Sequence, residues 1–422
     1  MGVYLIEFTV TFMHTKHTKS IIRQANTMTI YPLLDGMYEL EIYDSIDEAA
    51  NRWSTVAPDM DLFLQVPYFK FLESRPPKGL SFKYLVFSKK NIPIGIAPCQ
   101  LVQMRVGEAL TDEKIPSYQQ KINSWILKLA NMNAIIVGNL LLTGDHSCHF
   151  AKGSIEPDQA YVLLKEALEL LKNYLKEKGC STSLLIFKDI EKVKKTKFQS
   201  ALGSAYNQFE LQPNMMLELS PEWLTFDNYL AALHSKARTR LKRAKKSGKD
   251  LIKKEFTVEL IKAFLPQIDH LYKCIASKAG FNVLHLDGDY FLAFKEHFPK
   301  EFRVFGYFIE EELIAFYTTF NNKEELEAHY LGFDTENNYK YQAYLNILLD
   351  IIQIGIESKA KEINFARTAL EIKSSVGAQP EQLYYFGKHT NPIKNRVFSP
   401  ILDYFQPKEE WIPRNPFKKE SS

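Results

Sequence analysis

The sequence lacks most of the local signatures by which an enzyme or a membrane protein is recognised. No stretch approaches the roughly 20 consecutive apolar residues that a transmembrane helix needs. The four cysteines stand far apart and form no CxxC pair, which argues against a disulfide framework or a zinc finger and fits a reducing cytoplasm. A nucleophile elbow, a Walker loop and a GxGxxG turn are also absent, so a hydrolase, a kinase and a dehydrogenase have no support.

Net charge is small as well, and the positive charge is concentrated in one segment. Residues 234–254 carry +9, whereas the whole chain carries only +3, so the remainder sums to −6. A helical wheel shows one narrow apolar stripe in this region, formed by Leu233, Ala237, Leu241 and Ala244. This pattern predicts a basic helix that lies against the protein body, with Lys236, Arg238 and Arg240 available to bind phosphate.

The rest of the chain reads as alternating strands and helices. The order strand, strand, strand, helix, strand, helix, strand occurs loosely in both halves, which predicts a duplicated unit of about 180 residues. High aromatic content, at 13%, favours strand-rich cores and clefts lined by rings. The predicted boundaries are a leader that is disordered or reflects a mis-set start codon (1–37), a first unit (38–213), a second unit (214–392) and a tail (393–422).

Three segments, in this order, resemble the GNAT-type acyltransferase unit of FemAB-like proteins. They are LHSKARTRLKRAKKSG, then FGYFIEEELIAFYTTF leading to LGFDTENNYKYQAYLNILLDIIQIGIE, and finally INFARTALEIKSSVGAQPEQLYYF. The first half resembles the diverged partner unit, with VGNLLLTGDHSCHF and LLIFKD as its least ordinary segments. The resemblance covers residues 38–392 and implies a mixed α+β fold of tandem GNAT-like units with a cleft between them.

The same resemblance implies an N-acyltransferase that moves an acyl group from acyl-CoA or acyl carrier protein to a primary amine. Such a protein needs no permanently bound cofactor and no metal. Its partners would be the acyl donor carrier and an amine-bearing lipid, such as a long-chain base, or a cell-wall precursor. We expect it in the cytoplasm, with a peripheral contact at the inner face of the membrane as an open alternative.

One departure from the family concerns the site that binds the CoA pyrophosphate. A typical GNAT unit has a glycine-rich turn at the start of its central helix, where backbone N–H groups hold the phosphates. The corresponding stretch here, ENNYKYQAY, contains no glycine. It offers Lys340 and the bulky Tyr339 instead, and we include both as substrate-binding candidates.

The predicted catalytic residues lie on the strand LEAHYLGF and on the closing strand. Alternation along a strand would place Glu327 and His329 on one face, where the carboxylate could fix the tautomer of a general base. An exposed strand face with incidental polar groups explains the pattern equally well. Tyr385 is a candidate acid that returns a proton to the leaving thiolate, a role that the resemblance suggests, although a core position explains it too.

Two cations near the end of the strand INFAR are candidates for binding an anion or an oxyanion. Ligands of open α/β sheets sit at the carboxyl ends of strands, which is where Arg367 lies, and Lys373 follows one helical turn into the next helix. A salt bridge to Glu371 or Glu362 is the alternative for both.

A dense polar segment, 145–149, contains an aspartate, a cysteine and two histidines. A zinc site would need a second cluster at ligand spacing, which the sequence lacks. Cys148 and His149 could form a nucleophile pair, but side chains that are adjacent in sequence rarely face each other. We therefore interpret GNLLLTGDH as a strand that ends in a loop lining the cleft.

Two alternative functions remain open at this point. One is a FemAB-type aminoacyl or acyl transferase acting on a cell-wall precursor. The other is a non-enzymatic protein that uses the basic helix to bind RNA or an anionic surface, although no base-stacking motif accompanies the cations. DNA is not expected as a partner.

Overall fold

The computed structural model describes residues 30–59, 61–105, 131–276, 286–396 and 411–418. Most of the predicted leader, residues 106–130 and most of the predicted tail lie outside these ranges. None of the helices in the described ranges is both long enough and apolar enough to cross a membrane.

The first half contains eight strands and four helices within the described ranges. In chain order they are β1 (Ile30–Leu33), β2 (Tyr38–Tyr43), α1 (Ile46–Ser54), α2 (Val66–Ser74), β3 (Leu80–Lys89), β4 (Ile92–Arg105), β5 (Asn131–Val137), β6 (His149–Phe150), α3 (Pro157–Glu177), β7 (Leu184–Glu191), α4 (Lys192–Leu202) and β8 (Asn207–Glu210).

The second half repeats this alternation of strands and helices. Its described elements are β9 (Asn214–Glu218), α5 (Phe226–Ala232), α6 (Ser235–Ser247), β10 (Ile252–Glu255), α7 (Val258–Ala263), α8 (Leu265–Ala276), α9 (Gly288–His297), β11 (Phe302–Ile309), β12 (Glu312–Asn322), β13 (Glu325–Phe333), α10 (Thr335–Tyr341), α11 (Ala343–Glu357), β14 (Glu362–Asn364), α12 (Leu370–Ser374), β15 (Gln379–Glu381), β16 (Leu383–His389) and α13 (Pro392–Arg396).

The strands form two mixed sheets, which confirms the predicted α+β class. The first sheet has the order β1-β2-β3-β4-β5-β7-β16-β8, with β6 paired to β4, and the second has the order β10-β11-β12-β13-β14-β9-β15. One pair in each sheet is parallel, β5 with β7 and β13 with β14. The last strand of the chain, β16, thus lies in the first sheet, while β9 lies inside the second sheet.

Residues 337–359 have the sequence pattern of a single helix, but the structure differs from this expectation. The segment divides into α10 and α11 at Gln342, whose φ of 50° is left-handed and cannot continue a right-handed helix. Asn338 accepts a hydrogen bond from the N–H of Tyr344 (2.9 Å) and so caps the start of α11. The predicted helix over 258–279 likewise divides, at Phe264, into α7 and α8.

An aromatic core joins the two sheets. The ring of Phe63, from the first half, lies 5.0 Å from that of Phe320 on β12, and Phe71 lies 4.2 Å from Phe294 on α9. Both pairs belong to one cluster of buried apolar residues drawn from the two halves. Because burial of such rings is the main stabilising contribution at an interface, the two halves are held in a fixed relation by apolar packing.

Candidate active site

A polar cavity of about 340 Å³ lies between the two sheets, and we call it the acidic pocket. Seven of its fourteen lining residues are acidic. The lining consists of Asp61, Gly144, Asp145, His146, Glu191, Asn214, Met216, Asn322, Glu324, Glu325, Glu362, Asn364, Glu381 and Leu383. The first sheet contributes the loop after β5 and the ends of β7 and β16, and the second contributes β9 and the starts of β13 and β14.

The loop after β5 is held by both sheets. The backbone carbonyls of residues 141–143 accept hydrogen bonds from Tyr330 (3.1 Å), Lys188 (2.8 Å) and Asn364 (2.8 Å), respectively. Gly144 follows with a φ of 142°, and a side chain there would come within 3.0 Å of the Nε2 atom of His146. A glycine is therefore required for the backbone to turn His146 into the pocket.

His146 is hydrogen-bonded to Asp61, 85 residues earlier in the chain. Its Nδ1 atom lies 2.8 Å from Oδ2 of Asp61. The other carboxylate oxygen accepts from the N–H of Phe63 (2.9 Å) and from the side chain of Asn322 on β12 (3.3 Å). Since an ionised carboxylate only accepts hydrogen bonds, Nδ1 of His146 carries the proton and Nε2 remains able to accept one.

Nε2 of His146 is buried and has no hydrogen-bond partner among the described residues. The residue as a whole is only 6% exposed. Burial lowers the pKa of His146, but the charge and hydrogen bond of Asp61, with the charge of Glu325, outweigh burial and raise the net pKa above 6.5. The pair has the geometry of a general base whose orientation is fixed by a carboxylate.

A row of glutamates crosses the second sheet at the pocket. Glu325 on β13 lies opposite Glu362 on β14, and Glu362 lies opposite Glu218 on β9. Burial and the charges of the neighbouring carboxylates, Glu325 and Glu381 among them, raise the pKa of Glu362. Burial and the charges of Glu191 and Glu325 raise that of Glu381 in the same way.

The predicted Glu327–His329 pair is corrected by the structure. Two residues of β13, His329 and Tyr330, lie opposite the single Thr318 of β12, which is a β-bulge. Glu327 and His329 still lie on one face, on either side of Ala328, but no hydrogen bond joins them among the described contacts. His329 contacts Tyr290 (3.3 Å from Nε2) and Thr318 (3.4 Å from Nδ1), and burial lowers its pKa to about 3. Glu327 is buried beside Asn364, and burial together with the charge of Glu325 raises its pKa.

Arg367 and Tyr385 come together in a buried polar cluster between the sheets. Arg367 pairs with Asp189 of β7 and donates to the carbonyl of Gln212 (2.9 Å), so neither salt bridge considered from the sequence is formed. Tyr385 is 5% exposed, and its ring centroid lies 5.0 Å from that of Phe209, on which it stacks. Burial is the largest of the causes that raise the pKa of Tyr385. The cluster ties the two sheets together, and the expected roles of Tyr385 as an acid and of Arg367 in binding an anion stay predictions.

Lys373 is also buried, under the loop that follows β14. It donates to the carbonyls of Ala366 (3.2 Å) and Arg367, and burial lowers its pKa to about 7. Ala366, Thr368 and Ala369 all have left-handed φ angles, between 48° and 70°. Lys373 therefore holds a strained loop in place, and its expected contact with a substrate anion stays a prediction.

The basic helix α6 forms where the sequence predicted it. Leu233, Leu241 and Ala244 are buried, and the helix packs on α10 and α11. Asn346 of α11 donates to the carbonyl of Ala244 (2.9 Å), and a side chain at Gly248 would lie 2.6 Å from this amide. The close approach explains the glycine at the end of α6.

The cations of α6 remain available to a ligand. Lys236 and Arg240 are exposed and Arg238 is half-buried. Lys245 pairs with Asp350 (2.9 Å), whereas Lys236, Arg238 and Arg240 have no ion pair with any residue in the described ranges. Two further candidates lie on α10 beside this helix, the exposed Lys340 and the 90% exposed Tyr339.

The residues of the polar segment 145–149 have different surroundings in the structure. His146 faces the pocket, whereas burial raises the pKa of Cys148 to about 12, which makes a nucleophilic thiolate unfavourable. Among the described residues, no group of three or more histidines, cysteines or acidic residues has a geometry that could hold a metal ion. The sequence singled out this loop but contained no signal for Asp61, its distant partner.

Comparison with known proteins finds likeness in structure alone. No family model and no curated protein matches the sequence. Among solved structures, FemX matches with a TM-score of 0.50 and 13% identity, over 85% of this chain and 99% of that one. Two others are a tandem GNAT protein from the clavulanic acid biosynthesis pathway (TM-score 0.48, 12% identity, 84% and 99% covered) and the C-terminal domain of a putative lysylphosphatidylglycerol synthetase from Agrobacterium fabrum (0.47, 10%, 85% and 97%).

At these identities the likeness to FemX shows the fold alone, and it confirms the predicted FemAB-like fold.

Proposed function

We propose that the protein is an N-acyltransferase that passes an acyl group from a thioester carrier to a primary amine held in the acidic pocket. The observation that supports this most directly is the unpartnered, buried Nε2 of His146, oriented by Asp61 and facing a pocket lined by carboxylates. Amine acylation requires a base that takes a proton from the nitrogen, and the carboxylates of the pocket would bind the amine first in its ammonium form.

The reaction needs one proton acceptor for the amine nitrogen. A bound ammonium first loses a proton to solvent, and its lone pair then attacks the thioester carbonyl carbon. The C–N bond forms, His146 Nε2 takes the second proton from nitrogen, and the C–S bond breaks to release a thiolate. The thiolate is then protonated from solvent or by His146, so the products are an amide, a free thiol and one proton.

The donor carrier would bind at α6 and α10. These helices lie beyond the carboxyl end of β13, whereas Glu325 of the pocket lies at its start. Eight residue steps of strand separate the two ends, roughly 26 Å. A donor whose acyl group hangs on a long arm, as in acyl-CoA or acyl carrier protein, suits this separation. Lys236, Arg238, Arg240 and Lys340 would bind its phosphates.

The pocket favours a polar amine as the acceptor. Of the described lining residues, Met216 and Leu383 have apolar side chains, which leaves little surface for the chain of a long-chain base. The acidic lining would also repel a phosphate-bearing cell-wall precursor. We therefore propose a small cationic amine as the acceptor in preference to the long-chain base and the cell-wall precursor that the sequence suggested.

A second candidate function is binding of an anionic surface by α6 without catalysis. The 90% exposed Tyr339, beside cations that have no partner in the described ranges, supports a contact with anionic headgroups at the inner face of a membrane. This contact is compatible with the enzymatic function and would then bring the protein to a membrane-bound donor or acceptor.

Thiol release tests the proposal. Purified protein would be given acyl-CoA or acyl carrier protein with a short amine, a long-chain amino alcohol or a nucleotide-linked muropeptide. We expect thiol release that depends on an amine and is fastest with the short polar amines. Absence of release with every pair would reject the acyltransferase and favour the surface-binding function, which liposome sedimentation measures separately.

A further inference from the structure

The acidic pocket contains more carboxylates than the chemistry at His146 requires. Three of the seven have cationic partners at the rim: Lys194 pairs with Asp145 (2.8 Å) and Glu191 (3.0 Å), and Lys361 pairs with Glu324 (2.7 Å). The others, apart from Asp61, have no ion pair with any described residue. They are Glu325, Glu362 and Glu381.

While these carboxylates are ionised and no cation is bound, their arrangement is unfavourable. Like charges directly opposite on neighbouring strands are destabilising, by roughly 0.2–1 kcal/mol for each pair. Here Glu362 faces Glu325 on one side and Glu218 on the other. A fold that retains such a row beside a cavity is explained most simply by a positively charged ligand that neutralises it.

A second observation points to a ligand that donates hydrogen bonds. Two side chains that line the pocket have buried acceptor atoms without a partner in the described ranges, Nε2 of His146 and Oδ1 of Asn214. Both residues are more than nine-tenths buried, at 6% and 1% exposed. Unpaired buried acceptors cost free energy, and an ammonium group supplies three donors.

The acceptors and the charges come from different elements of both sheets. His146 comes from the loop after β5, while Glu362 begins β14 of the other sheet. Glu325 also lines the pocket, and its charge raises the pKa of both side chains. As no described group has metal-binding geometry, an extended organic cation fits this arrangement better than a metal ion.

We propose that the pocket binds an acceptor with two or more positive charges, a diamine or polyamine, with one amine at His146 and another at Glu325 and Glu362. Which amine is acylated rests on the proposed function; the binding of a double cation does not. The distal ammonium would fix the position of the reacting nitrogen, so selectivity would come from charge at a set spacing.

Calorimetry without any donor tests the binding. The probes are 1,4-diaminobutane, butylamine and Mg²⁺, each titrated into the full-length protein at low and moderate salt. We expect the diamine to bind at least tenfold more tightly than the monoamine, with an affinity that falls as salt rises. Equal binding of the two amines, or binding of Mg²⁺ alone, would overturn the inference.

Substitution of Glu362 by glutamine localises the second charge. Glu362→Gln should weaken diamine binding about tenfold and leave the affinity for butylamine unchanged. If that variant fails to fold, Glu381→Gln replaces it in the test. Glu222→Gln, which removes the same charge from an exposed position outside the pocket, is the matched control. Diamine affinity that survives both pocket substitutions would overturn the proposal.

The two proposals can fail separately. Diamine binding without thiol release from any donor would retain this inference and reject the acyltransferase. Thiol release at equal kcat/KM for the diamine and butylamine would retain the acyltransferase and reject selection by a second charge.

Discussion

The basic helix α6 and the acidic pocket are the two concentrations of charge in this molecule, and they are built in different ways. The cations of α6 follow one another within a single helix of 13 residues. The carboxylates of the pocket come from separate segments of both halves, from Asp61 to Glu381. Charge that is local in sequence was predicted, whereas charge that the fold assembles was not.

The charged side chains of α6 and those of the pocket also differ in how deeply they are buried. Lys236 and Arg240 are exposed and need only solvent when no ligand is bound, so they constrain the fold little. In the pocket, burial raises the pKa of Glu362 and Glu381, and His146 depends on Asp61 for its orientation. Substitutions of His146 and Asp61 should therefore change the rate of the chemical step, and substitutions on α6 should change the affinity for the donor.

The largest effect is expected from His146→Gln. Loss of the base should lower kcat by roughly 10²–10⁴-fold while the KM for the donor changes little. His149→Gln is the matched control, since this histidine lies three residues later and is not part of the pocket lining. Steady-state thiol release measures both variants. A fall in kcat of the same size in the control would contradict the assignment.

Next in size is the effect of Asp61→Asn, which should lower kcat about 10²-fold and change the pH dependence. His146 must be neutral to act as a base, and its pKa is raised above 6.5, so kcat/KM of the native protein should fall as the pH drops through a value above about 6.5. Without the Asp61 charge, burial dominates and the pKa decreases. The pH at which kcat/KM falls on the acidic side should therefore be lower in the variant. An unchanged pH profile would argue against the pairing of His146 with Asp61.

Replacement of Lys236, Arg238 and Arg240 by alanine should raise the KM for the donor about tenfold and reduce its salt dependence. A tenfold change corresponds to roughly 1.4 kcal/mol, a modest value because exposed charges are screened. The midpoint of thermal unfolding and kcat at saturating donor should be unchanged. The matched control removes three exposed lysines elsewhere: Lys152, Lys192 and Lys300. Unaltered KM in the first variant would place the donor site elsewhere.

The smallest effect concerns stability. Without ligand, Glu362→Gln should raise the free energy of unfolding at neutral pH by about 0.2–1 kcal/mol, because one member of a row of like charges becomes neutral. The pKa of Glu362 is raised on folding, so its charged form is disfavoured in the native state. Protonation on lowering the pH removes this penalty, and the difference between the variants should vanish in acid. Denaturant titrations at both pH values measure it.

Several features of the fold were predictable because they rest on local patterns. The apolar stripe of α6 fixed its buried face, and the strand patterns near residues 38, 80 and 92 gave β2, β3 and β4 within one residue. The likeness to FemX confirms the FemAB-like fold that the ordered motifs predicted.

Features that depend on partners distant in sequence could not be predicted. Nothing in the sequence of β16 indicates that it inserts between β7 and β8. The bulge at His329 and Tyr330 is a shift of register between β12 and β13, which no pattern within one strand indicates. Asp61 was missed for the same reason, since its role arises only when it meets His146, 85 residues away.

The most direct test of the account is the titration of His146 by NMR in the full-length protein, with and without 1,4-diaminobutane. We expect a pKa above 6.5 in the free protein. The pKa should decrease when the diamine binds, because a positive charge in the pocket disfavours the imidazolium. An ordinary pKa that the diamine does not change would contradict the claim that His146 faces a cation-binding pocket.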